Sequence, residues 1–142
     1  MQRLVDIAPP EIHAVWEVLS AIPDPEVPVL TITDLGMVRS VDRRGDGWVI
    51  GFTPTYSGCP ATEHLLGEIR AAMTENGYAP VHIVLQLDPP WTTDWMGPEA
   101  RERLRQYGIS PPQGHACHAH MPEEVVCPRC ASRHTSLISE FG

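Results

Sequence analysis

The chain has 142 residues, 42% of them hydrophobic, and a formal net charge of −8 with its histidines counted neutral. That length suits one ordinary domain with a small appendage, and the hydrophobic share suits a packed core. The negative charge argues against a nucleic-acid partner, which would need a concentrated basic face, and no apolar run approaches the roughly 20 residues needed to cross a bilayer.

Met1-Gln2-Arg3-Leu4-Val5-Asp6 lacks the long apolar core of a signal peptide, so the cytoplasm is the expected compartment. Pro9-Pro10-Glu11 reads as a helix start. Ile12, Val15, Trp16, Leu19 and Ile22 then follow helical spacing and form one apolar stripe. Pro23 and Pro25 stop the helix. The segment Ile22-Pro23-Asp24-Pro25-Glu26-Val27-Pro28 is a stiff extended loop carrying two carboxylates, Asp24 and Glu26. A solvated turn is the plain reading; stiffness is the argument for a site, because a rigid loop presents carboxylates at set positions.

Thr31-Ile32-Thr33-Asp34-Leu35-Gly36 leads into a strand near residues 37–42. Arg43-Arg44-Gly45-Asp46-Gly47 is a hairpin turn, and Trp48 to Thr53 returns antiparallel with Trp48, Ile50 and Phe52 on one face. Thr53-Pro54-Thr55-Tyr56-Ser57-Gly58-Cys59-Pro60 then joins this strand to a helix marked by Leu65, Ile69 and Met73 and stopped at Asn76-Gly77. Val81 to Leu87 alternates, with Val81, Ile83, Leu85 and Leu87 predicted inward and His82 outward. Asp88-Pro89-Pro90-Trp91-Thr92-Thr93-Asp94-Trp95-Met96 cannot continue a strand; its two tryptophans either clamp the loop onto the core or face a partner, and the core clamp is the favoured reading. A last helix opens at Pro98-Glu99 and stops at Gly108.

The order α-β-β-α-β-α predicts a small α/β (α+β) protein with a three-stranded mixed sheet, because a crossover through the middle helix sets the third strand parallel to the second. The linker Ile109-Ser110-Pro111-Pro112-Gln113-Gly114 divides the chain into a domain of residues 1–112 and a Cys/His-rich tail of residues 113–142.

Two places carry chemistry. Pro60 suits a first helical position, which puts Cys59 near the N-cap, beside unpaired backbone N–H groups. A thiol there is favoured as thiolate, the form that binds metals; the plain alternative is a small residue filling a turn. In the tail, Cys127-Pro128-Arg129-Cys130 is a C-x-x-C knuckle, whose spacing lets two thiolates reach one zinc. Cys117 with His118 or His120 would complete four ligands, the chosen set being Cys117, His120, Cys127 and Cys130; a metal-free tail is the alternative.

Asp24-Pro25-Glu26, Asp34-Leu35-Gly36, Thr53 to Pro60 and Pro89 to Trp95 together resemble the SufT-like iron–sulfur assembly family. With Gly108-Ile109-Ser110-Pro111-Pro112 and the cysteine knuckle, the resemblance narrows to the PaaD-like accessory subunits of bacterial phenylacetyl-CoA epoxidase. It implies a maturation factor rather than a catalyst. The expected partners are the di-iron oxygenase subunit and the iron–sulfur reductase of that system. It implies a transient iron or iron–sulfur cluster on Cys59, with Asp24 as a nearby carboxylate and Thr55 shaping the turn. Two copies could share a metal through Cys59, which makes a homodimer relevant. Family members carry a second cysteine pair beyond Phe141-Gly142 that completes a zinc ribbon, so the ribbon assignment reaches only Cys127 and Cys130.

Two other readings stand beside this one. Cys59 as an enzyme nucleophile would need a base, and His64, five residues on, points away from it. A structural subunit of the oxygenase complex would use the tryptophan loop as its contact.

Overall fold

The computed structural model describes residues 10–56, 58–111, 125–136 and 138. Three helices and a three-stranded mixed sheet follow in the expected order. Helix α1, Pro10–Leu19, has Glu11 in its first turn and buries Val15 and Leu19, with Ile12 and Trp16 packed on the same core. The proline loop then folds back on itself: Asp24 N–H donates to the Leu30 carbonyl (2.8 Å) and Ile32 N–H to the Ile22 carbonyl (3.0 Å). The fold-back delivers Leu30 and Ile32, both fully buried, into the core.

Strand β1, Val38–Arg44, pairs antiparallel with β2, Gly47–Phe52, across a tight turn at Gly45 and Asp46. Trp48, Ile50 and Phe52 are buried as the alternation predicts. Helix α2, Ala61–Glu75, lays Leu65, Leu66, Ile69 and Met73 on that face. Burying an aliphatic or aromatic side chain of this size stabilises a fold by roughly 1.5–3 kcal/mol, so this cluster is the main source of stability. Strand β3, Val81–Leu85, runs parallel to β2 from Trp48↔Val81 to Phe52↔Leu85, giving the sheet order β1-β2-β3. A short 3-10 turn at Thr93–Trp95 precedes α3, Pro98–Tyr107, which ends on left-handed Gly108.

One expectation about the core fails. Val81 and Ile83 are half-buried, but Leu85 and Leu87 are 46% and 53% exposed. Strand β3 lies at the sheet edge, with a neighbour on one side only, so alternation does not secure burial. His82 is exposed, as expected. The boundary near residue 112 falls outside the described residues.

The tryptophan loop is a clamp. Trp91 Nε1 donates to the Leu35 carbonyl (2.7 Å), and the Arg39 guanidinium lies 3.7 Å from the Trp95 ring centre. Gly36, at φ +74°, sits so close that a Cβ would meet Trp95 Cβ at 2.8 Å. Asp34 joins the same lock: its carboxylate accepts from Thr31 N–H (2.9 Å) and pairs with Arg103 (2.5 Å). The Asp34-Leu35-Gly36 turn and the tryptophan loop are therefore partners in packing.

Candidate functional site

The Cys59 loop leaves the end of β2 from a rigid base. Thr53 is buried; its N–H donates to the Met37 carbonyl (2.8 Å) and its hydroxyl to the Gln86 carbonyl (2.7 Å). Gln86 N–H in turn donates to the Phe52 carbonyl (2.8 Å), so residues at the ends of all three strands grip the root of the loop. Pro54 is buried, Thr55 half-buried and Tyr56 51% exposed. Gly58 takes φ +77° with open space where a side chain would stand. That conformation suits glycine and turns the chain into the helix.

Cys59 is half-buried and is a free thiol. Pro60 has helical angles and its side chain makes no capping bond; Thr62 N–H donates to the Cys59 carbonyl (3.1 Å). The expected placement thus holds to within one residue: a cysteine at the start of a helix, following a strand.

The two carboxylates of the proline loop differ in burial. Asp24 is 7% exposed, and its Oδ2 accepts from the N–H groups of Glu26 (3.2 Å) and Val27 (3.3 Å). Asp24 holds the proline loop in shape. Glu26 is exposed, and its charge reaches Tyr56 of the cysteine loop weakly. The Tyr56 phenol is held above its ordinary range, first by a hydrogen bond to Cys59 and then by the negative charge of Cys59 and, more weakly, Glu26. Tyr56 and Glu26 are the neighbours that residue-by-residue reading missed. Tyr56 stood inside the loop motif, but only folding brings Glu26 to it from some 30 positions away. Thr55 touches neither carboxylate by any hydrogen bond seen among the described residues. His64 is exposed on α2.

Among the described residues, no three His, Cys, Asp or Glu side chains converge as a metal-binding group. Cys59 therefore offers one sulfur donor with a carboxylate and a phenol in its vicinity. Such a centre leaves most coordination positions to a cargo's other ligands, whereas a resident cluster usually takes about four protein ligands.

The tail holds a close pair of cysteines. Cys127 N–H donates to the Ser132 carbonyl (2.9 Å) and Ala131 N–H returns to the Cys127 carbonyl (2.9 Å), closing a tight turn with Ala131 at φ +60°. The Cys127 thiol is drawn below its usual range, first by the backbone N–H groups of Cys130 and Arg129, then by the Cys130 side chain, with the Arg129 charge adding a little. N–H groups aimed at sulfur favour a thiolate, so these two cysteines fit half of a tetrahedral zinc site. Cys117 and His120, the expected completing ligands, lie outside the described residues. The turn is tied back to the domain by the Ser110 hydroxyl on the Val126 carbonyl (3.2 Å).

Comparison with known proteins agrees with this architecture. A family profile described as "Iron-sulfur cluster assembly protein" matches residues 12–78, a span that includes the proline loop, the Asp-Leu-Gly turn and Cys59. A protein of Escherichia coli K12, provisionally named as the D component of 1,2-phenylacetyl-CoA epoxidase, is 76% identical over 142 residues, covering all of this chain and 86% of that protein. A DUF59 domain from Bacillus anthracis superposes with a TM-score of 0.61 at 25% identity, over 66% of this chain and 90% of that one. A conserved hypothetical protein from Thermotoga maritima gives 0.56 at 28% identity, over 72% and 96% of the two chains. The chain belongs to the iron–sulfur cluster assembly (DUF59) family, in the branch that holds this epoxidase component.

Proposed function

We propose that this protein is a non-catalytic maturation factor of a phenylacetyl-CoA epoxidase system. It assists insertion or repair of an iron or iron–sulfur centre in the oxygenase or its reductase during aerobic phenylacetate degradation. The observation that carries this reading is Cys59, a free half-buried thiol at the start of a helix, on a loop rooted at the ends of three strands, within a chain of the assembly family. The 76% relative, named as a component of the epoxidase, supports the choice of client.

Iron or a cluster is here the cargo. Cys59 sulfur would take one coordination position, with Asp24 as a nearby carboxylate, Thr55 shaping the turn and exposed Glu26 as a further carboxylate of the same loop. A single protein donor leaves room for client ligands to displace it, which is what delivery requires. Zinc on Cys127 and Cys130, completed by Cys117 and His120, would hold the tail turn as a separate structural element.

The alternative of a purely structural subunit drew on the tryptophan loop as a contact. Trp91 and Trp95 are instead engaged within the chain, by the Leu35 carbonyl and Arg39. This favours the maturation reading.

The test is to express the oxygenase and reductase with wild-type protein, with Cys59→Ala, or without it, and to measure their iron content and epoxidation. Iron-poor clients in the last two cases are expected. Fully loaded, active clients with Cys59→Ala would refute the role of Cys59; full loading without the protein would refute the function.

A further inference from the structure

The turn that carries Cys127 and Cys130 is closed without its sulfurs. Cys127 N–H donates to the Ser132 carbonyl and Ala131 N–H to the Cys127 carbonyl, both at 2.9 Å. The Thr135 hydroxyl donates to the Val125 carbonyl, and the Ser110 hydroxyl to the Val126 carbonyl. On the domain side, the Arg129 guanidinium stands 3.9 Å from where a Cβ on Gly108 would be, at the end of α3. Main-chain bonds, hydroxyls and one arginine therefore set the shape of the turn. Both thiols are free for other chemistry.

The same turn fixes the separation of the pair. The Ala131 N–H to Cys127 carbonyl bond folds the chain back across Cys130. Residues i and i+3 of a tight turn come within about 7 Å at their α carbons, and a disulfide spans about 4.4–6.8 Å. Dithiol and disulfide thus fit one backbone. Cys130 is exposed and Cys127 half-buried, so a dissolved reagent meets Cys130 first, with Cys127 behind it. Among the described residues, no third His, Cys, Asp or Glu joins them as a metal-binding group.

We propose that Cys127 and Cys130 are a reversible redox pair, which a low-molecular-weight disulfide oxidises to a disulfide within the turn. The Cys130 thiolate attacks one sulfur of the small disulfide, whose S–S bond breaks and releases one thiolate. Cys127 then attacks the Cys130 sulfur of the mixed disulfide, and the second small thiolate leaves. The pair gives up two electrons and two protons, and the small disulfide takes both as two thiols. An excess of the small thiol drives the exchange backwards. This goes beyond the zinc reading of the tail: an oxidised pair has no thiolate to offer a metal, so zinc could be held only in the reduced state.

The test uses the full chain, stripped of metal with a chelator and equilibrated over a series of ratios of glutathione disulfide to glutathione. Samples are quenched in acid, alkylated and cut with trypsin. Cleavage after Arg129 separates the two cysteines, so the two peptides stay joined only through a Cys127–Cys130 disulfide. The joined fraction should rise with the ratio and be lost on adding dithiothreitol, with an unchanged far-UV circular dichroism spectrum. Cys127→Ser should abolish joining and trap one glutathione on Cys130. Cys117→Ser should join as wild type does. A pair that stays reduced across the series overturns the proposal. So does Cys127 joined to Cys117, or glutathione held on wild-type Cys130 without closure of the pair.

Discussion

The two cysteine centres differ in what holds them. Cys59 sits at the end of a long chain of dependence: its loop is rooted by Thr53, Thr53 by Met37 and Gln86, and those by strands whose inner face is the core. Cys127 and Cys130 sit in a turn closed by its own backbone, with Thr135 hydroxyl to the Val125 carbonyl (2.6 Å) adding a local tie. The first arrangement places one donor with tertiary accuracy and leaves it lightly coordinated. The second places two cysteines in a locally closed turn that the Ser110 hydroxyl ties to the domain. On the proposed function, the first arrangement suits transfer and the second suits retention.

The comparison can be strained from either side. Phe52→Ala empties the core directly under the Cys59 loop and should destabilise the fold by about 3–5 kcal/mol, measured by urea unfolding. Cys59 should then alkylate faster, while Cys127 keeps its own pH profile. Equal changes at both cysteines would mean that the tail depends on the core after all.

Gly36→Ala is next. A left-handed residue bearing a side chain costs about 1–3 kcal/mol, and here the new Cβ would also press on Trp95. The lock between the Asp-Leu-Gly turn and the tryptophan loop should loosen, seen as a change in tryptophan fluorescence. Thr53→Val removes the hydroxyl from the half-buried Gln86 carbonyl. Leaving such a group unpaired costs about 1–3 kcal/mol. The loss should fall on the Cys59 loop, with reduced support of client iron loading as the readout.

Cys59→Ala should change stability by less than about 1 kcal/mol, since half-exposed substitutions that break no buried bond are mild. The smallest effect is one of pH. The Cys127 pKa is lowered, so its thiolate persists to more acidic pH than an ordinary thiol. Iodoacetamide should therefore label Cys127 with a midpoint below that of a free thiol. The stability linked to this thiolate is present above the unfolded-state pKa and is lost as pH falls through the folded value. A midpoint at or above the ordinary value would remove the N–H-to-sulfur geometry of the knuckle.

Local chemistry was sufficient to read the element order, the helix stops at Gly77 and Gly108, the buried face of β2 and the position of Cys59 before Pro60. These depend on periodicity, on proline's missing N–H and on glycine's freedom, all properties of neighbouring residues. Three things required the fold. Leu85 and Leu87 alternate like core residues, yet are exposed because β3 is an edge, and edge position is a property of the whole sheet. Asp24 and Glu26 look equivalent in the proline loop. Asp24 is buried and accepts two backbone N–H bonds, while Glu26 is exposed and its charge reaches Tyr56 weakly. The Asp-Leu-Gly turn and the tryptophan loop, some sixty positions apart, read as separate motifs but form one lock. Sequence periodicity determines which residues want burial and which turns are allowed. Which surfaces are covered, and which distant side chains meet, is decided only when non-local contacts close.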